Sequence, residues 1–166
     1  MAVSRLVFLA ITVVCAGLIA VALYMEHVMG LEPCPLCMLQ RLAVIAVGLT
    51  ALAAALVGPR NWGVRVSGGG IGLFSLAGMG VAWRQLWLQG LSPEEVPPCG
   101  PGYAYLRETF PLWDVIRMAL EGSGDCAEVH WQFLGLSIAG WTFVFFVALL
   151  LAGVWLLIRG PQVDGR

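Results

Sequence analysis

At 166 residues the chain has the length of one ordinary domain. Apolar residues make up 60% of it and charged residues only 11%, against about half and about a quarter in a soluble domain. This excludes a water-soluble globule, a disordered chain and a nucleic-acid binder. All nine cationic residues are Arg, the formal charge is -1 and the mean hydropathy is +0.87, so the bilayer is the expected solvent.

The first expected span, 6–24, carries no charge over 19 residues. At the rise of an α-helix this reaches about 28 Å, close to the hydrocarbon thickness. Arg5 and the Ala20-Val21-Ala22 stretch also fit a cleaved signal peptide. The apolar run continues to Met25 and three more spans follow, so the segment is expected to be retained. Cys15, at its middle, reads as a small packing residue. The loop 25–37 brings His27, an interfacial polar residue, and the C-x-x-C of Cys34-Pro-Leu-Cys37. The second span, 38–57, is apolar except for Gln40 and Arg41 in its first turn. The third, 66–83, is uncharged, and its Gly68, Gly72, Gly78 and Gly80 suit close helix packing.

The long loop 84–132 begins irregularly, with Pro93, Pro97, Pro98, Gly100 and Gly102 around Cys99. From Pro111, expected at a first helical position, Leu112, Val115, Ile116, Ala119 and Leu120 recur at helical spacing, and Gly122 and Gly124 suit the end. This predicts a short amphipathic helix, lying either on the membrane surface or against protein. Cys126 follows it. The fourth span, 133–158, is uncharged over 26 residues and long enough to cross with tilt. Backbone groups in lipid must be bonded internally, so all four spans are expected to be helices. Trp83, Trp87, Trp113 and Trp131 fall near the expected interfaces, where their rings anchor. The reading is an all-α integral membrane protein with a single membrane domain, 1–166.

Charge gives the orientation. Residues 1–5, 58–65 and 159–166 hold five Arg in 21 residues, while the loops 25–37 and 84–132 hold three in 62. The denser side is expected to be cytoplasmic, with both termini there. Cys34, Cys37, Cys99 and Cys126 then share the outer side, where an oxidising compartment allows disulfides.

Pro33-Cys34-Pro35 sets a helix start with Pro35 near the first helical position. Cys34 and Cys37 then lie in a first turn, where free N–H groups and the helix dipole favour a thiolate. Arg41 shares their helix face. A cation just inside the bilayer needs a partner: a thiolate or an anionic cofactor oxygen, or water and phosphate reached by snorkelling. Two dithiols on one side of a membrane suggest a relay, in which a thiolate attacks a disulfide and the bond moves. Two structural disulfides would instead brace the loops. The spacing is poor for a four-cysteine zinc site, and Met38 after Cys37 excludes a haem-attachment motif. His27 and His130 lack a third partner at useful metal-ligand spacing.

The stretch Leu23-Tyr24-Met-Glu-His27-Val28-Met29-Gly-Leu31-Glu-Pro33-Cys34-Pro-Leu36-Cys37-Met-Leu-Gln-Arg41 resembles the first periplasmic loop of the DsbB family of disulfide-bond formation proteins. So does Gly122-Ser123-Gly124-Asp125-Cys126-Ala127-Glu128, with Trp131, Phe133, Leu134 and Gly135 following. The resemblance implies a four-transmembrane-helix bundle in the bacterial inner membrane, with electrons passing from a periplasmic thioredoxin-like partner, DsbA, to ubiquinone or menaquinone. It implies that Cys99 forms the mixed disulfide with DsbA and pairs with Cys126, that Cys34 exchanges with that pair, and that Cys37 faces the quinone. Arg41 and Gln89 match quinone-side positions. The position where the family has a His falls at Gly90, so no side chain acts there, and the residue before the Arg is Gln40.

The implied chemistry needs an external electron sink. DsbA sits at about -120 mV, whereas a stable structural disulfide lies below about -300 mV, a gap of about 8 kcal/mol for two electrons. A disulfide-braced scaffold, an oxidase with a dedicated substrate and a protein resembling vitamin K epoxide reductase are the competing readings.

Overall fold

The structure is a computed structural model describing residues 2–31, 33–58, 61–92, 94–98, 111–129 and 131–163. In chain order the elements are α1 (Ala2–His27), α2 (Pro35–Val57), α3 (Asn61–Gln89), α4 (Leu112–Glu121), α5 (Gly124–Ala127), β1 (Gln132–Phe133), β2 (Leu136–Ser137) and α6 (Ile138–Val163). Helices α1, α2, α3 and α6 are each long and apolar enough to cross a membrane. The protein is an all-α, four-helix membrane protein. Helix α2 packs between α1 and α3, and α3 lies against α6 along most of its length.

Small residues set the closest approach. Gly68 and Gly72 on α3 face Gly153 on α6, and a Cβ on Gly153 would lie 2.8 Å from both the Gly68 carbonyl oxygen and the Gly72 nitrogen. Gly78 lies beneath the buried ring of Phe146. Gly80 has open space around its Cα, so packing does not account for it. Phe8, Ile11, Cys15, Val44, Val47, Ala51, Ile71 and Phe146 belong to the main apolar core. Cys15 is buried there and packs on Gly48, the packing role its position predicts.

Several boundaries differ from the sequence expectation. Helix α3 begins five residues before the expected span and ends six beyond it. Its extension is held by Arg84, whose guanidinium donates to the carbonyls of Leu120 (3.4 Å) and Glu121 (3.0 Å) at the end of α4 and stacks 4.4 Å over Trp87. The uncharged run from Phe133 does not enter the last helix at once. Leu134 (φ 52°) and Gly135 (φ 79°) form a two-residue turn that pairs Phe133 with Leu136, and α6 starts at Ile138. Pro111 caps α4 rather than opening it. Helix α4 buries Ala119 and leaves Trp113, Met118 and Leu120 exposed. Its end is set by Gly122 (φ 80°), whose N–H donates to Met118 O at 3.2 Å.

Candidate functional site

The start of α2 builds the site from local rules. Pro35 takes the first helical position, and Cys34 is the extended N-cap whose Sγ accepts the N–H of Cys37 at 3.4 Å. One turn brings the two sulfurs to 2.9 Å. That is longer than a disulfide bond of about 2.04 Å, and both residues are free thiols.

The third sulfur arrives from a distant segment. Ser123 caps the short α5, which places Cys126 in full burial against Leu36, Leu88 and Cys34. The Cys126 amide donates to Ser123 O at 2.9 Å, and the Ser123 hydroxyl lies 3.9 Å from its sulfur. Cys34 and Cys126 share one buried cluster with Cys37 packed against it, so Cys34 has a sulfur neighbour on each side.

This arrangement splits the ionisation of the thiols. Hydrogen bonding to Cys126 and Cys37, then burial, holds Cys34 in its protonated form, well above the ordinary thiol range. Cys126 is pushed the other way, to about 6, first by the Cys34 thiol and further by the backbone N–H groups of Leu36 and Ser123. Within the Cys34–Cys126 pair, Cys126 is therefore the side that carries charge.

Cys99 lies outside the described residues. Pro98 accepts the Gly124 N–H at 3.4 Å, at the start of the short helix that carries Cys126.

Arg41, one turn beyond Cys37, has a different partner from those weighed in the sequence. Its guanidinium pairs with the Glu26 carboxylate near the end of α1, donates to Ala22 O at 3.3 Å and touches Met38 Sδ at 3.8 Å. A carboxylate at the same depth costs less than leaving the cation to find a thiolate. Gln89 accepts the Ser137 hydroxyl at 2.7 Å. It also lines an open cleft of about 460 Å³ with Leu88, Leu91, Pro97, Pro98 and Gly124. His27 meets Leu23 O at 3.0 Å through Nδ1, and His130 is outside the described residues.

Sequence reasoning missed Gln85. It is buried on α3, and its Nε2 lies 3.4 Å from Cys37 Sγ and 3.6 Å from Cys34 Sγ. Its Oε1 accepts Gln40 Nε2 at 2.6 Å, and Gln40 Oε1 accepts the Thr142 hydroxyl at 2.6 Å. The available signal was a carboxamide inside an apolar helix, which must find partners within the bundle.

Known proteins bear on what this cluster does. The family profile described as disulfide bond formation protein DsbB matches residues 4–156. A disulfide bond formation protein B of Marinobacter nauticus is 54% identical over 156 residues, covering 94% of this chain and 93% of that one. Proteins of the same description from Azoarcus sp. and Chromobacterium violaceum are 50% and 47% identical, covering 92% and 94% of this chain and the same shares of their own lengths. With three thiols gathered at one end of a four-helix membrane bundle and a match over nearly its whole length, the chain belongs to the DsbB family of disulfide bond formation proteins.

Proposed function

We propose that this protein is an inner-membrane thiol:quinone oxidoreductase that reoxidises a periplasmic DsbA-type dithiol oxidase. The observation that carries the reading is Cys34, held between Cys37 and Cys126 although 92 positions separate it from the latter. A bracing disulfide needs one partner; a relay needs a sulfur that can reach two.

In this reading Cys99 and Cys126 receive electrons from DsbA. The Cys126 thiolate then attacks Cys34 of a Cys34–Cys37 disulfide, and Cys37 is released as a thiolate. Ubiquinone or menaquinone supplies the two-electron sink from the bilayer. The residues present suit such a group. Arg41 offers a planar fork of donors at the depth of the first turn of α2, one turn from Cys37, and its pairing with Glu26 keeps the cation in place. The Arg distribution supports cytoplasmic termini and a periplasmic thiol end.

The test is anaerobic mixing of the purified protein with reduced DsbA and each quinone, following quinone absorbance. Stoichiometric quinone reduction coupled to DsbA oxidation is expected. Arg41→Met should slow quinone reduction by about tenfold or more, while single-turnover exchange with DsbA stays near wild type. No reduction of either quinone would sink the proposal and leave a braced scaffold.

A further inference from the structure

The carboxamide chain beside the thiols has no role in the relay as described. It crosses three helices: Thr142 on α6, Gln40 on α2 and Gln85 on α3. Both Gln side chains are buried, where an unaligned amide would cost more than it contributes. The Thr142 hydroxyl lies 2.6 Å from Gln40 Oε1 and 3.0 Å from Ala139 O; donating to the nearer oxygen, it leaves Gln40 Nε2 turned to Gln85 Oε1. The oxygen of Gln85 is thereby engaged by Gln40 at 2.6 Å, with the Cys37 thiol a longer second donor at 3.7 Å, and its NH2 is the end turned to both sulfurs. That nitrogen is nearer to Cys37 Sγ, at 3.4 Å, than to Cys34 Sγ, at 3.6 Å.

We propose that Gln85 is a catalytic residue that donates a hydrogen bond to the sulfur of Cys37 as it leaves, and that Gln40 and Thr142 are positioning residues that fix the polarity of its amide. When the Cys126 thiolate attacks Cys34 in a Cys34–Cys37 disulfide, the Cys126–Cys34 bond forms and the Cys34–Cys37 bond breaks. The electron pair goes to Cys37 Sγ, and the count of disulfides is unchanged, so no oxidant enters the step. Charge then appears on Cys37 in a partly buried place where water solvates it poorly. A preoriented N–H there costs no reorganisation at the moment of exchange. The proposal rests on Cys34–Cys37 as the exchanging pair; it is independent of the final electron acceptor.

The test uses the full-length chain with Cys15, Cys34, Cys99 and Cys126 replaced by Ala, so that Cys37 is the single thiol. Two quantities are read at neutral pH: thiolate content from ultraviolet absorbance before and after alkylation, and the iodoacetamide rate. Gln85→Leu should lower the thiolate content about tenfold. It should lower the alkylation rate only about threefold, because a hydrogen-bonded thiolate is also the weaker nucleophile. A change of access alone would move the rate and leave the thiolate content where it was. Gln85→Glu, with an anion in place of the donor, should do at least as much as Gln85→Leu. Thr142→Val should cost the thiolate about threefold on its own and nothing further in Gln85→Leu, and Thr142→Ser should restore it.

Unchanged thiolate content in Gln85→Leu, or independent effects of the two positions, would overturn the proposal. If Gln85→Leu does not fold, Thr142→Val decides alone: a loss reversed by Thr142→Ser supports the chain, and wild-type behaviour refutes it. Failure of quinone reduction in the native protein would be a separate result, since these measurements involve neither quinone nor DsbA.

Discussion

Helix α3 passes through two buried environments about 25 Å apart along its axis. At Gly68 and Gly72 it meets α6 backbone to backbone, through Gly153, with no side chain between them. At Gln85 and Leu88 it meets three thiols, a carboxamide and the first turn of α2. The first environment holds helices together in a solvent that gives no hydrophobic drive between them, so closeness of approach does the work. The second gives up dense apolar packing for sulfur atoms in reach of one another. A change in the first environment should therefore appear as stability, and a change in the second as chemistry. Substitutions at either end of α3 can break that division.

The largest effect belongs to the thiol end. Cys34→Ala removes the sulfur that lies beside Cys37 in the buried cluster that also holds Cys126. DsbA-dependent turnover should fall by about a hundredfold or more, while the unfolding temperature in detergent shifts little. A variant with substantial turnover would mean that Cys37 and Cys126 exchange directly.

The glycine seam should answer in the opposite way. In Gly153→Ala the new methyl would sit 2.8 Å from the Gly68 oxygen and the Gly72 nitrogen, and backbone cannot swing aside as a side chain can. The helices must part, at a cost of about 1–3 kcal/mol. Thermal unfolding of the purified variant should show this loss, and turnover per folded molecule should stay within about twofold of wild type. A stable variant with impaired thiol exchange would join the two environments that the structure separates.

Several of these features were legible in the sequence for physical reasons. Lipid demands apolar helices, so their number followed from uncharged length, and Pro35 fixed where α2 begins. Cys15 in a span could hardly be anything but packing. What escaped were contacts whose partners are far apart in the chain. Nothing local marks Gln85 as the partner of Gln40, 45 positions away, or Glu26 as the partner of Arg41. The hairpin escaped because Leu134-Gly135 sits inside an uncharged run that reads as continuous span. Cys126 reads as a loop cysteine, and only the packing of α5 on Leu36 and Leu88 brings it beside Cys34.

A smaller effect follows from the depressed ionisation of Cys126. Its acid form is the unreactive one, so alkylation of Cys126 in the fully reduced protein should rise with pH through about 6 and then level off. At about one pH unit below that midpoint the rate should be about tenfold under the plateau. Mass spectrometry of the modified peptide reports the site. Cys34→Ala removes the principal cause of the depression and should move the midpoint up toward ordinary thiols. A midpoint unmoved by that change would place the cause in the Leu36 and Ser123 amides instead.

The smallest effect is expected for the remaining described thiol, and it tests the division from inside the apolar environment. Cys15 is buried among Phe8, Ile11, Val44 and Val47, within the main core and not in the cluster that holds Cys34 and Cys126. Its tight contact is made by Cβ: a methyl placed on Gly48 would lie 3.1 Å from Cys15 Cβ but 3.9 Å from its sulfur. Cys15→Ala keeps that Cβ and removes only the sulfur, so it should cost about 1 kcal/mol or less and leave turnover unchanged. Gly48→Ala should be the more destabilising of the two, and Cys15→Ala should not rescue it, because the crowded atom is retained. Unfolding temperatures of the two single variants and the double variant check this order. A large loss of turnover in Cys15→Ala would mean that a sulfur deep in the apolar core takes part in the chemistry at the other end of the bundle.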